Sequence, residues 1–67
     1  MVVKIDSKLI KAVDYFGTTM IIQFVRGGMY KYYDIPQEEY DGFIDSDSKG
    51  NYFRQYIKDN YRFTKII

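Results

Sequence analysis

Ser48-Lys49-Gly50 sets a hydroxyl, a mobile ammonium and a glycine side by side. With Ser48 or Asp47 capping a helix, the free N–H groups of the first turn and the positive dipole end point outwards here. That corner suits an oxyanion, with Lys49 as a point charge and Gly50 letting a ligand come close to the backbone. Arg54 and Lys58, four residues apart, would extend the positive field along one side of the helix, with Arg62 and Lys65 beyond. The plain structural alternative is a capping Ser48, a Gly50 chosen for packing, and a solvated Lys49. The longer glycine-rich spacing of a Walker loop is missing.

Aromatic residues form the second group. Tyr30 and Tyr32 share one face of a strand and would stack bases if exposed. The same face of the preceding strand carries Met20, Ile22 and Phe24, which favours the core side for both tyrosines. Lys31 and Tyr33 would then point the other way, as the ligand candidates. Catalysis has little to work with. The chain has no histidine and no cysteine, which removes the usual general base, the strongest nucleophile and the softer metal ligands together. The carboxylate pairs Asp45/Asp47 and Glu38/Asp41 lie in a charged segment that reads as solvated surface. A non-catalytic module without cofactor or bound metal is the expectation.

The elements that position these residues follow from apolar periodicity. Ile10–Tyr15, Thr19–Val25 and Met29–Tyr33 alternate as strands, with turns at Phe16-Gly17-Thr18 and Arg26-Gly27-Gly28. Asp34-Ile35-Pro36 closes the sheet and opens a first helix. Gln37, Glu38, Glu39 and Asp41 suit its positive end, and Tyr40, Phe43 and Ile44 form its apolar stripe. A second helix from Ser48 towards Asn60 would bury Tyr52, Phe53, Tyr56 and Ile57. The predicted fold is α+β: a three-stranded antiparallel meander against two C-terminal helices. Val2–Ile5 and the tail 61–67 are each able to add a strand, and periodicity alone decides neither.

Sixty-seven residues make one domain with a thin core, and eight Tyr with five Phe supply its bulk. No stretch reaches the length of a membrane span. The opening Met1-Val2-Val3-Lys4 has no basic run followed by a long apolar segment, so no signal peptide is expected and the cytoplasm is the expected compartment. The formal charge of +1 hides a strong division: residues 34–47 hold six acids and no base, whereas residues 48–67 hold five bases and one acid. Such patches steer a charged partner, or simply face one another.

Gly28-Met29-Tyr30-Lys31-Tyr32, then Ile35-Pro36, then Ser48-Lys49-Gly50-Asn51-Tyr52-Phe53 and a closing Ile57 and Tyr61 resemble the KTSC domain family. Ser7, Ile10, Val13 and Tyr15 also fall where that pattern would place them. The resemblance makes residues 1–67 a single KTSC-like domain with its core at about 7–61. The family is named after the C-terminus of some lysyl-tRNA synthetases and also occurs as stand-alone bacterial and phage proteins. It implies RNA binding through that synthetase context. Two expectations result. One is a module for RNA or another phosphate-bearing ligand, using Ser48, Lys49, Gly50, Arg54 and Lys58, with aromatic contacts from Tyr30, Tyr32 or Tyr33. The other is a protein-interaction or self-associating accessory protein, which would also be able to sequester a small nucleotide between copies.

Overall fold

The computed structural model describes residues 2–67. Five antiparallel strands lie in the order of the chain: β1 Val2–Lys4, β2 Ile10–Phe16, β3 Thr19–Phe24, β4 Met29–Tyr32 and β5 Phe63–Lys65. The three expected strands are present, and both ends of the chain add one more. Val3 pairs with Val13, Val13 with Ile22, Ile22 with Tyr30, and Tyr30 with Lys65. Every second residue therefore falls in a row across the whole sheet.

The turns work as their glycines require. Gly17, Gly27 and Gly28 all take positive φ, at 61°, 105° and 86°. Gly28 has a second duty. The Ile67 carbonyl occupies the space a Cβ would need there, and it accepts a hydrogen bond from the Met29 N–H at 3.0 Å. The tail thus docks on β4 because this turn has no side chain. Phe63 holds it from the other side, its ring 5.3 Å from Tyr32 and 5.7 Å from Tyr30.

Helix α1 spans Gln37–Asp45, with Pro36 as its N-cap residue and Glu38 and Glu39 in its first turn. Phe43 is fully buried, flanked by half-buried Tyr40 and Ile44 as the stripe predicts. The second helix departs from expectation. Regular α-helix covers only Lys49–Tyr52 (α2), after which the backbone widens into a π-helical turn over Phe53–Ile57. The Lys58 N–H bonds the Phe53 carbonyl at 2.9 Å, and the helix ends there rather than near Asn60. Phe53 and Ile57 stay on the sheet, while Tyr56 turns outward and leans on Tyr52 at 4.6 Å. Such widened turns recur at functional sites.

The core lies between the helices and one face of the sheet: Ile10, Val13, Met20, Ile22, Tyr32, Ile35, Phe43, Phe53 and Ile57. Both helices dock on that face. Among the described residues no helix is long and apolar enough to cross a membrane.

Candidate functional site

Two hollows open beside the second helix, of nearly equal size and unlike chemistry. The first is a cleft of about 380 Å³ between the β3–β4–β5 side of the sheet and the π turn. Its floor is aromatic. Phe24 from the end of β3 meets Tyr30 edge-on at 5.5 Å and Phe53 at 5.3 Å, and Phe53 meets Tyr32 at 5.6 Å. Phe63 of β5 closes the row and stays half exposed. The rim is charged: Arg26 and Gly27 come from the hairpin, Arg54 from the π turn, and Lys58 and Asp59 from the turn after it. The Lys65 ammonium sits 5.9 Å from the centre of the Tyr30 ring. Burial pushes the Tyr32 hydroxyl up to about 12, with smaller contributions from Tyr30 and Asp59, so it remains a neutral donor at physiological pH.

The second hollow, of about 390 Å³, lies between the Asp6–Leu9 loop and the start of α2. Ser48, Lys49, Gly50 and Asn51 line it together with Asp6, Lys8 and Asp47. Here the bland alternatives describe the contacts. The Ser48 hydroxyl accepts from the Asn51 N–H at 3.3 Å and caps the helix. The Lys49 ammonium donates to the Ser46 carbonyl at 3.0 Å. Gly50 is buried against Leu9 and Ser7, and a methyl group there would lie 3.5 Å from each, so its backbone is covered rather than open to a ligand. Ser7 in turn accepts from the N–H groups of Leu9 and Ile10, which shapes the loop.

The structure therefore divides the predicted residues. Tyr30, Tyr32, Arg54 and Lys58 converge on the aromatic cleft. Ser48, Lys49 and Gly50 face the other hollow, and Arg54 reaches both. Tyr33 stands on the opposite face of the sheet. The Arg62 guanidinium stacks on its ring at 4.6 Å, Lys31 lies at 5.6 Å, and its hydroxyl donates to Thr64 at 3.3 Å. Sequence reasoning did not find Phe24, Phe53 and Phe63 as a floor. The interleaving of rings with Arg26, Arg54 and Lys58 was the available signal, but it needed the β4–β5 pairing to become one place.

A third cluster braces the cleft from behind. Both Tyr52 and Tyr61 donate their hydroxyls to the two oxygens of Glu39, Tyr61 at 3.0 Å. Gly42 makes this reach possible, because a side chain there would meet the Tyr52 oxygen at 2.5 Å. The helix-weakening glycine is thus the price of locking α1 to the second helix. Burial and the Glu39 carboxylate push the Tyr52 hydroxyl up to about 12 and raise that of Tyr61. On the next side Tyr15 stacks on Tyr40 at 4.2 Å and donates to the Ile35 carbonyl at 2.6 Å.

Comparison with known proteins places this architecture. The model of the KTSC domain matches residues 6–61. A lysine–tRNA ligase from Nostoc is 29% identical over 65 residues, covering 94% of this chain and 12% of that ligase. The chain thus spans a small part of that relative. The crystal structure of a KTSC domain protein from Yersinia pestis is 28% identical, with a TM-score of 0.95 over 100% of this chain and 97% of that one. With the family model matched over most of its length and the same fold in a solved KTSC domain protein, this chain is a member of the KTSC domain family.

Proposed function

We propose that the chain is a non-catalytic binding module for single-stranded RNA or a related phosphate-bearing ligand, held in the aromatic cleft. One observation carries this reading: the half-exposed Phe63 ring and the partly buried Tyr30 ring share a single hollow with Arg26, Arg54 and Lys58. Rings take the faces of bases, worth about 1–3 kcal/mol per base, and cations take the phosphates between them. Neither needs a defined sequence, so modest base preference is expected. The curated relative is a ligase named for lysine and tRNA, which agrees with a nucleic-acid partner. In this reading Arg54 and Lys58 keep the role that their spacing predicted. Lys49 and Gly50 become secondary, because the Lys49 ammonium already donates to the Ser46 carbonyl, Gly50 is buried, and Asp6 and Asp47 line the same hollow.

The test is fluorescence anisotropy of a labelled single-stranded RNA and of a tRNA, at low and physiological salt. Three phosphate contacts predict a log–log salt slope of roughly −2 on the single strand. Arg54→Ala with Lys58→Ala should flatten that slope and weaken binding, while Lys49→Ala should change it little. Absence of saturable binding at low salt would overturn the reading and leave a protein partner as the leading one.

A further inference from the structure

The helices cover one face of the sheet and leave the other uncovered, with Phe16, Val2 and Ile66 about half exposed or more. The pairing register fixes what stands on that open face. Its central row reads Val2, Asp14, Ile21, Lys31, Thr64 from β1 to β5. An acid and a base thus flank an isoleucine symmetrically, one strand to either side. The neighbouring row sets Ala12 and Met29 on either side of Gln23. Beyond the other end of the central row, Phe16 is opposite Thr19 on β3, and Tyr33 continues β4 on the far side.

We propose that this face packs on the same face of a second copy, through a two-fold axis that lies between the two sheets over Ile21, about 15° from the direction of β3. That operation lays Ile21 on the partner's Ile21 and exchanges the flanking strands. Asp14 then meets the partner's Lys31, and Lys31 the partner's Asp14. Phe16 meets the partner's Tyr33. An isologous interface needs such a self-complementary surface. Two twisted sheets stack face to face at about 30° and about 10 Å, so the central row carries the contact while the corners splay. Five strands at about 4.8 Å spacing and about five residues of about 3.4 Å rise give a footprint near 400 Å². With side-chain relief this approaches the roughly 600 Å² per partner at the lower edge of specific interfaces, so a reversible dimer is expected. The surface lies across the sheet from the aromatic cleft and is independent of any ligand there.

Sedimentation velocity from about 10 μM to about 1 mM tests this, a range that brackets dissociation constants expected of a small interface. The wild-type chain should move from monomer to dimer across it. Asp14→Lys and Lys31→Asp should each remain monomeric, with circular dichroism showing that both are folded. Mixed in equal amounts, the two variants should restore dimers, because every cross-interface pair is again of opposite sign. A monomeric wild type at the highest concentration would overturn the proposal. So would dimers that persist in either single variant, or failure of the mixture to associate.

Discussion

The two hollows beside the second helix have almost the same volume, about 380 and 390 Å³, yet differ in what they leave free. In the hollow at the start of α2, the capping hydroxyl, the ammonium and the glycine all have partners within the fold. In the cleft by the π turn, rings packed edge to edge keep Phe63 half exposed, and cations stand at the rim. The comparison teaches that the side chains of a polar motif can be engaged in local structure, as the capping Ser48 hydroxyl and the Lys49 ammonium are here. A surface continuous with the core can, in contrast, keep ring surface exposed at its edge, as Phe63 does.

Removing the shared ring at the base of the cleft should have the largest effect. Phe53 contacts both Phe24 and Tyr32 and is nearly buried, so Phe53→Ala is expected to cost about 3–5 kcal/mol in urea unfolding. In a domain this small, that loss takes away much of the total stability. Gly50→Ala in the other hollow is the counterpart. Its added methyl finds ordinary contact distances at Leu9 and Ser7, and helix propensity favours alanine by up to about 1 kcal/mol. Unfolding curves that rank the two variants otherwise would break the comparison.

The brace behind the cleft comes next. Tyr52→Phe removes a hydroxyl that donates to the Glu39 carboxylate, a bond to a charged group worth about 1.5–3 kcal/mol. The same tyrosines predict an alkaline limit. Tyr32 and Tyr52 are raised from 10.0 to about 12 in the fold, so the folded state holds their protons where the unfolded chain loses them. Their stabilisation is complete below pH 10 and is lost as pH rises from about 10 to about 12. Chemical denaturation at stepped pH, followed with tyrosinate absorbance, should show stability falling across that window. A stability that stays flat through pH 12 would contradict the burial of these hydroxyls.

Much of this fold was legible in the residues. Period-two alternation marked β2, β3 and β4, and the paired glycines marked the hairpin between the last two. The tail strand was less legible, because Phe63-Thr64-Lys65 has no strong alternation and pairs through Gly28 and the rings above it. The π turn was invisible to a periodicity tuned to 3.6 residues, since Phe53 and Ile57 fit either geometry. The candidate site was half legible. Arg54 and Lys58 followed from helical spacing, but their meeting with Arg26 and Phe63 depends on contacts between segments far apart in the chain. The grip of Tyr52 and Tyr61 on Glu39 is likewise a long-range contact, signalled only by a glycine in mid-helix.

The smallest expected difference is also the sharpest: loss of Arg54 or Lys58 should weaken RNA binding several-fold, and loss of Lys49 less than about twofold. A titration of ¹⁵N-labelled protein with a short single-stranded RNA at low salt resolves both hollows at once. The amide signals of Gly27, Tyr30, Lys58, Asp59 and Phe63 should shift together and saturate, while those of Ser48, Lys49 and Gly50 move little. Shifts centred on Ser48–Asn51 with a silent aromatic cleft would contradict the assignment of the ligand to the cleft.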